Sequence, residues 1–131
     1  MSTEFEDIRI TGLDAKAMRD SDKGSAMRLM HLTLSKSPPS NWGILFDQER
    51  QFPRHSMWRR AWIEGRYIVV DCVPEEIGQH HLADLKQDVA NTNQQYRAWL
   101  AQSAAASDRK QQEEKAERER IAALGSKLNF D

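Results

Sequence analysis

A single cysteine in 131 residues, Cys72, rules out an intramolecular disulfide and any cysteine-rich zinc site. No apolar run approaches the roughly 18 residues that a membrane-crossing helix needs. An excess of one charge sign is missing too. Nineteen Lys and Arg stand against 20 Asp and Glu, a net charge of −1, which argues against binding nucleic acid by bulk charge alone. The acidic opening Met-Ser-Thr-Glu-Phe-Glu-Asp carries no secretory signal. A cytoplasmic protein that does not engage a membrane is expected. Also missing are a glycine-rich phosphate loop, a serine-nucleophile elbow and an HExxH pair. The expectation is therefore a non-enzymatic protein that holds no cofactor.

What is present is unevenly distributed. Residues 102–131 hold six basic and six acidic groups, and six of their ten hydrophobic residues are alanine. Only Ile121, Leu124, Leu128 and Phe130 could bury much surface there, too little to offset the entropy of ordering a packed domain. The reading is a compact body over 1–101 followed by a charged tail over 102–131, helical or partly disordered.

Within the body, Ile8 and Ile10 alternate with Asp7 and Arg9, which predicts a strand over Phe5–Thr11 closed by Gly12. Residues 12–26 read as a polar loop with one short helical turn at Ala15–Met18. Met30, Leu32 and Leu34 mark a second strand over Met27–Lys36. Pro38-Pro39 stops it, and Ser40 or Asn41 is placed to cap a short helix that carries Trp42, Leu45, Phe46 and Glu49 on one face. Trp58–Ile63 and Arg66–Cys72 read as a hairpin joined by Glu64-Gly65. Pro74 then opens a long helix whose apolar stripe runs Ile77, Leu82, Leu85, Val89, Thr92, Tyr96, Trp99. The order β-β-α-β-β-α is that of an α+β fold: a small antiparallel or mixed sheet of about four strands packed on one long amphipathic helix.

A Glu64-Gly65 loop would set Trp62 opposite Tyr67, Arg60 opposite Val69 and Trp58 opposite Asp71. Trp58, Arg60, Trp62 and Tyr67 would then share one face, a candidate partner-binding surface. Six of the ten aromatic residues fall within residues 42–67. Five arginines (Arg50, Arg54, Arg59, Arg60, Arg66) meet only Glu64 across residues 50–67. Trp, Tyr and Arg are enriched in protein-binding hot spots, and the same residues suit stacking on unpaired bases, with Arg50, Arg54, Arg59 and Arg66 as phosphate contacts. The face could equally be a second core, closed by the short helix or by another subunit.

Other polar groups carry less. Cys72 precedes a helix start, but Glu75 and Glu76 follow at once and oppose thiolate formation. His80 and His81 stand three or four residues from Asp84, yet a stable metal site needs three or four ligands, so no metal is expected. Were the chain an enzyme, Cys72, His80 and His81 would be the group to test. The tail offers a second clue. Between Asp108 and Arg120 ten of 13 residues are charged, five of each sign, and Ile121, Leu124, Leu128 and Phe130 form an apolar patch beyond them. The functional expectation is a protein-interaction or assembly module, with a protein partner or a second copy in a homodimer, and single-stranded nucleic acid as the alternative.

Overall fold

Residues 5–24 and 26–130 are described by a computed structural model of the chain. Its centre is the pairing of two strands rich in branched apolar residues, β3 (Arg28–Leu34) and β5 (Tyr67–Cys72). Around them lie β1 (Ile10–Leu13), the two-residue β2 (Arg19–Asp20) and β4 (Ala61–Glu64). The sheet is antiparallel in the order β1-β3-β5-β4, with β2 also paired to β3. Two helices complete the fold, α1 (Ser40–Glu49) and α2 (Leu82–Gly125), the latter preceded by a π turn over Ile77–His81. This is the α+β order expected from the sequence, with a fifth short strand inside the polar loop.

Register sorts the side chains. Met30 faces Val70, Leu32 faces Ile68 and Arg28 faces Cys72 across β3 and β5, so the buried Met30, Leu32, Leu34, Ile68, Val70 and Cys72 share one face. Against it α2 supplies Leu85, Val89, Thr92 and Tyr96 at the three- and four-residue steps of an amphipathic helix. Two polar residues interrupt that stripe, Asp88 and Asn93, and both are buried. Trp42 and Phe46 of α1 are fully buried with their rings stacked at 5.6 Å.

Several local expectations shift. The segment before β1 has no ladder partner at Ile8. Instead the Ile8 N–H donates to Asn93 Oδ1 at 3.1 Å and its carbonyl accepts from Asn93 Nδ2 at 2.9 Å. One side-chain amide thus stands in for a strand and satisfies a buried backbone pair. The ladder begins at Ile10 and runs through Gly12 to Leu13, with a bulge between Ile10 and Gly12. At α1 the cap position falls to Pro39, which has no side-chain acceptor, and Ser40 is already helical. The hairpin loop is Gly65-Arg66 rather than Glu64-Gly65. Glu64 pairs with Tyr67 and Trp62 with Val69, two residues on from the expected register. Gly65 has φ +57° while, among the described residues, no non-glycine residue has positive φ, the pattern of a turn that takes glycine at its first central position.

The chain divides into two compact units between Arg97 and Ala98. The first holds the sheet, α1 and the packed turns of α2. The second is helical to Gly125, and every residue from Ala101 to Leu124 is exposed. Ser103–Ser107, which could have been a hinge, is continuous helix. Among the described residues no helix is long and apolar enough to cross a membrane.

Candidate functional site

Moving the hairpin register by two residues leaves strand faces unchanged, so Trp62 and Tyr67 still point the same way. Trp58 does not join them. It lies ahead of β4, its indole N–H donating to the Arg50 carbonyl at 3.2 Å, and its ring lies 3.7 Å from the Arg50 guanidinium carbon. Arg50 belongs to a buried cluster on α2. Its Nη1 meets Asp88 Oδ2 at 2.8 Å, and its Nη2 donates to the Arg59 carbonyl at 2.6 Å. Arg54 reaches the same Asp88 at 2.7 Å. His55 pairs with Asp84 and sets its ring edge-on to Trp58. Loop 50–59 is therefore tied down onto α2.

That arrangement uses up the arginine excess. Arg59 grips Glu76 through Nε and Nη2, both at 3.2 Å, and Arg66 donates to the Leu34 and Ser35 carbonyls. Arg60, exposed like Arg54 and Arg66, is stacked 4.7 Å over Trp62. The local positive charge seen along the chain is met by Asp88, Glu76 and Asp84, residues distant in sequence. A polar stripe position such as Asp88 was the available signal, since a carboxylate three residues after Leu85 falls on the buried side of the helix.

The sheet face opposite α2 carries Trp62 and Tyr67. Trp62 Nε1 donates to Glu64 Oε2 at 2.7 Å, and Arg19 meets the same oxygen at 2.8 Å. The Tyr67 hydroxyl donates to Asp14 Oδ2 at 2.6 Å, and His31 sits edge-on to its ring. These bonds, the indole N–H first for Glu64 and the phenol first for Asp14, hold both carboxyls below their ordinary range. Val69 and Asp71 at the middle of this face are buried, and Asp71 Oδ1 has no hydrogen-bond partner. Here the predicted aromatic face is a half-covered surface, each ring anchored by an acid.

A third cluster forms where β5 enters the helical region. Cys72 Sγ, a Glu76 carboxylate oxygen and a His81 ring nitrogen lie within 4.8 Å of one another. Cys72 and His81 are buried and Glu76 is half-buried. Burial, reinforced by the Glu76 charge, pushes the Cys72 thiol up to about 12, so the thiol is protonated at neutral pH. Burial also pulls His81 below its ordinary value, against the opposing Glu76 carboxylate. The pairing of His80 and His81 with Asp84 suggested by spacing does not form, because Asp84 is taken by His55 and His81 turns to Glu76. Glu76, the acid expected to oppose a Cys72 thiolate, is shared by Arg59 and His81.

In the tail, Ile121, Leu124, Leu128 and Phe130 are all exposed, Phe130 to 84%. Glu117 and Arg120 pair at 2.6 Å on the helix before them. The body and the tail together define a small α+β protein with an exposed C-terminal helix. No protein-family model, curated protein or solved structure matches the chain.

Proposed function

We propose that the chain is a non-enzymatic assembly module that self-associates through its C-terminal helix. The observation that carries this reading is the exposure of Ile121, Leu124, Leu128 and Phe130 together at the end of a helix whose preceding turns are also exposed. Apolar residues clustered on a surface are where association gains most from removing water.

A second copy laid antiparallel, centred on Glu114, suits the sequence. It sets Asp108 against Arg120, Arg109 against Glu119 and Glu113 against Lys115, with two like-signed pairs, Lys110 against Arg118 and Glu114 against its own counterpart. The same alignment brings Leu124 and Leu128 of one copy alongside Ala104 and Leu100 of the other. Charged middle meets charged middle, and apolar end meets apolar end. Nucleic-acid binding finds less support, since Glu64 and Asp14 stand beside the two rings that would stack on bases and four of the five arginines are engaged within the fold.

Sedimentation velocity over a concentration series tests the proposal. The full chain is expected to shift from monomer to dimer mass, and Leu124→Glu with Leu128→Glu to remain monomeric with unchanged helix content. A full chain that stays monomeric at the highest concentration reached overturns self-assembly.

A further inference from the structure

We infer that Cys72, Glu76 and His81 form a binding site for a divalent transition ion of the zinc class. Thiolate, carboxylate and imidazole are the three ligand types that this borderline-soft ion takes, and three protein ligands leave its fourth position to a water. Ligand atoms around a tetrahedral zinc are about 3.3–3.6 Å apart, given metal–ligand lengths of about 2.0–2.3 Å. His81 Nε2 and Glu76 Oε1 already stand 3.5 Å apart, at the outer limit for a hydrogen bond but at ligand–ligand spacing. Cys72 Sγ lies within 4.8 Å of both, so a small side-chain movement closes the set.

The backbone supplies an independent reason. Residues five apart on an α-helix point about 140° away from each other, at 3.6 residues per turn. Glu76 and His81 are five apart. Between them the chain runs as a π turn over Ile77–His81, closed by the Leu82 N–H on the Ile77 carbonyl, an i→i+5 bond. That wider turn brings the carboxylate and the imidazole to one side, facing Cys72 at the end of β5. Such turns are rare, geometrically costly and concentrated at functional sites.

Electrostatics agree. Thiolate and carboxylate together bring two negative charges to an ion with two positive ones. Binding releases the Cys72 proton to solvent, which removes the cost of a buried thiolate by pairing it with the metal. Arg59, on both Glu76 oxygens, becomes the outer partner that orients the carboxylate. Glu76 and Arg59 also form the half-exposed rim through which an ion enters.

Titration of the purified full chain with cobalt(II) chloride, read by absorbance, tests the site. The expected result is a sulfur-to-cobalt charge-transfer band that saturates at one ion per chain and is displaced by zinc. Cys72→Ser should abolish the band. Glu76→Gln and His81→Gln should each weaken binding by at least about tenfold, since losing even an outer partner of a metal ligand costs that much. Circular dichroism checks that each variant is folded, and if Cys72→Ser is not, the two glutamine variants decide. No saturable band, or equal affinity in the wild type and the folded variants, overturns the assignment.

Discussion

Asp88 is the residue on which most of the body's charge balance turns. Its side chain is fully buried and it meets two guanidinium groups, Arg50 from the end of α1 and Arg54 from the following loop. Removing one partner of a buried ion pair leaves an uncompensated charge and costs about 3–5 kcal/mol. Asp88→Ala leaves the buried Arg50 without its carboxylate, while Arg54 keeps Glu49, and should lose that much in urea denaturation. Arg50→Met should lose less, because Arg54 still neutralises Asp88. The reverse ranking would mean that Arg50 acts mainly by packing on Trp58. Asp14 and Glu64 make a separate case on the other sheet face. Hydrogen bonds from Tyr67 and Trp62 lower both carboxyls in the fold, so on acidification the unfolded chain binds protons first. Their stabilisation is complete above the ordinary carboxyl range, about pH 4, and is lost as pH falls through the folded values. A urea midpoint followed from pH 6 downward should decline there, and the decline should be shallower in Glu64→Gln.

At the scale of elements, apolar periodicity made the two central strands, α1 and α2 legible, because burial on one face repeats every two or three to four residues. What could not be read were the points where a single residue sets the geometry. The Asn93 side chain replaces a strand at Ile8, and no local pattern announces it. The hairpin loop moves by one residue, and the register by two, because an X-Gly loop places glycine second, whereas here glycine comes first. The π turn is equally silent in the sequence, and with it the meeting of Cys72, Glu76 and His81. The arginine-rich loop misled for the same reason: charge counted along 50–67 does not include partners on α2. Gly65 itself allows a direct check. An added Cβ would meet nothing within 4 Å, so Gly65→Ala measures only the cost of φ +57° in an L-residue. A loss of about 1 kcal/mol in denaturation is expected. No loss would mean that the turn relaxes to another form.

For the whole molecule, the contrast between a buried-core unit and an exposed helical one sets how each should behave. Amides in Leu85–Tyr96, where α2 carries its buried residues, should be among the slowest to exchange with solvent. Those from Ala101 to Leu124 should exchange quickly in a monomer and slow as concentration rises if the helix pairs with a second copy. The geometry of that pairing has a sharper signature. In an antiparallel pair centred on Glu114, that residue lies at the two-fold axis and meets its own counterpart, whereas Leu100 lies far from the other copy's Leu100. A parallel pair would bring like residues together at every facing position instead. With the native Cys72 buried, a thiol placed on the exposed helix reports position cleanly. Glu114→Cys should therefore form an intermolecular disulfide under mild oxidation, and Leu100→Cys should not. Cross-linking at both positions would replace the antiparallel arrangement with a parallel one. Cross-linking at neither, in a chain that still sediments as a dimer, would move the interface off this helix to the half-covered sheet face of Trp62 and Tyr67.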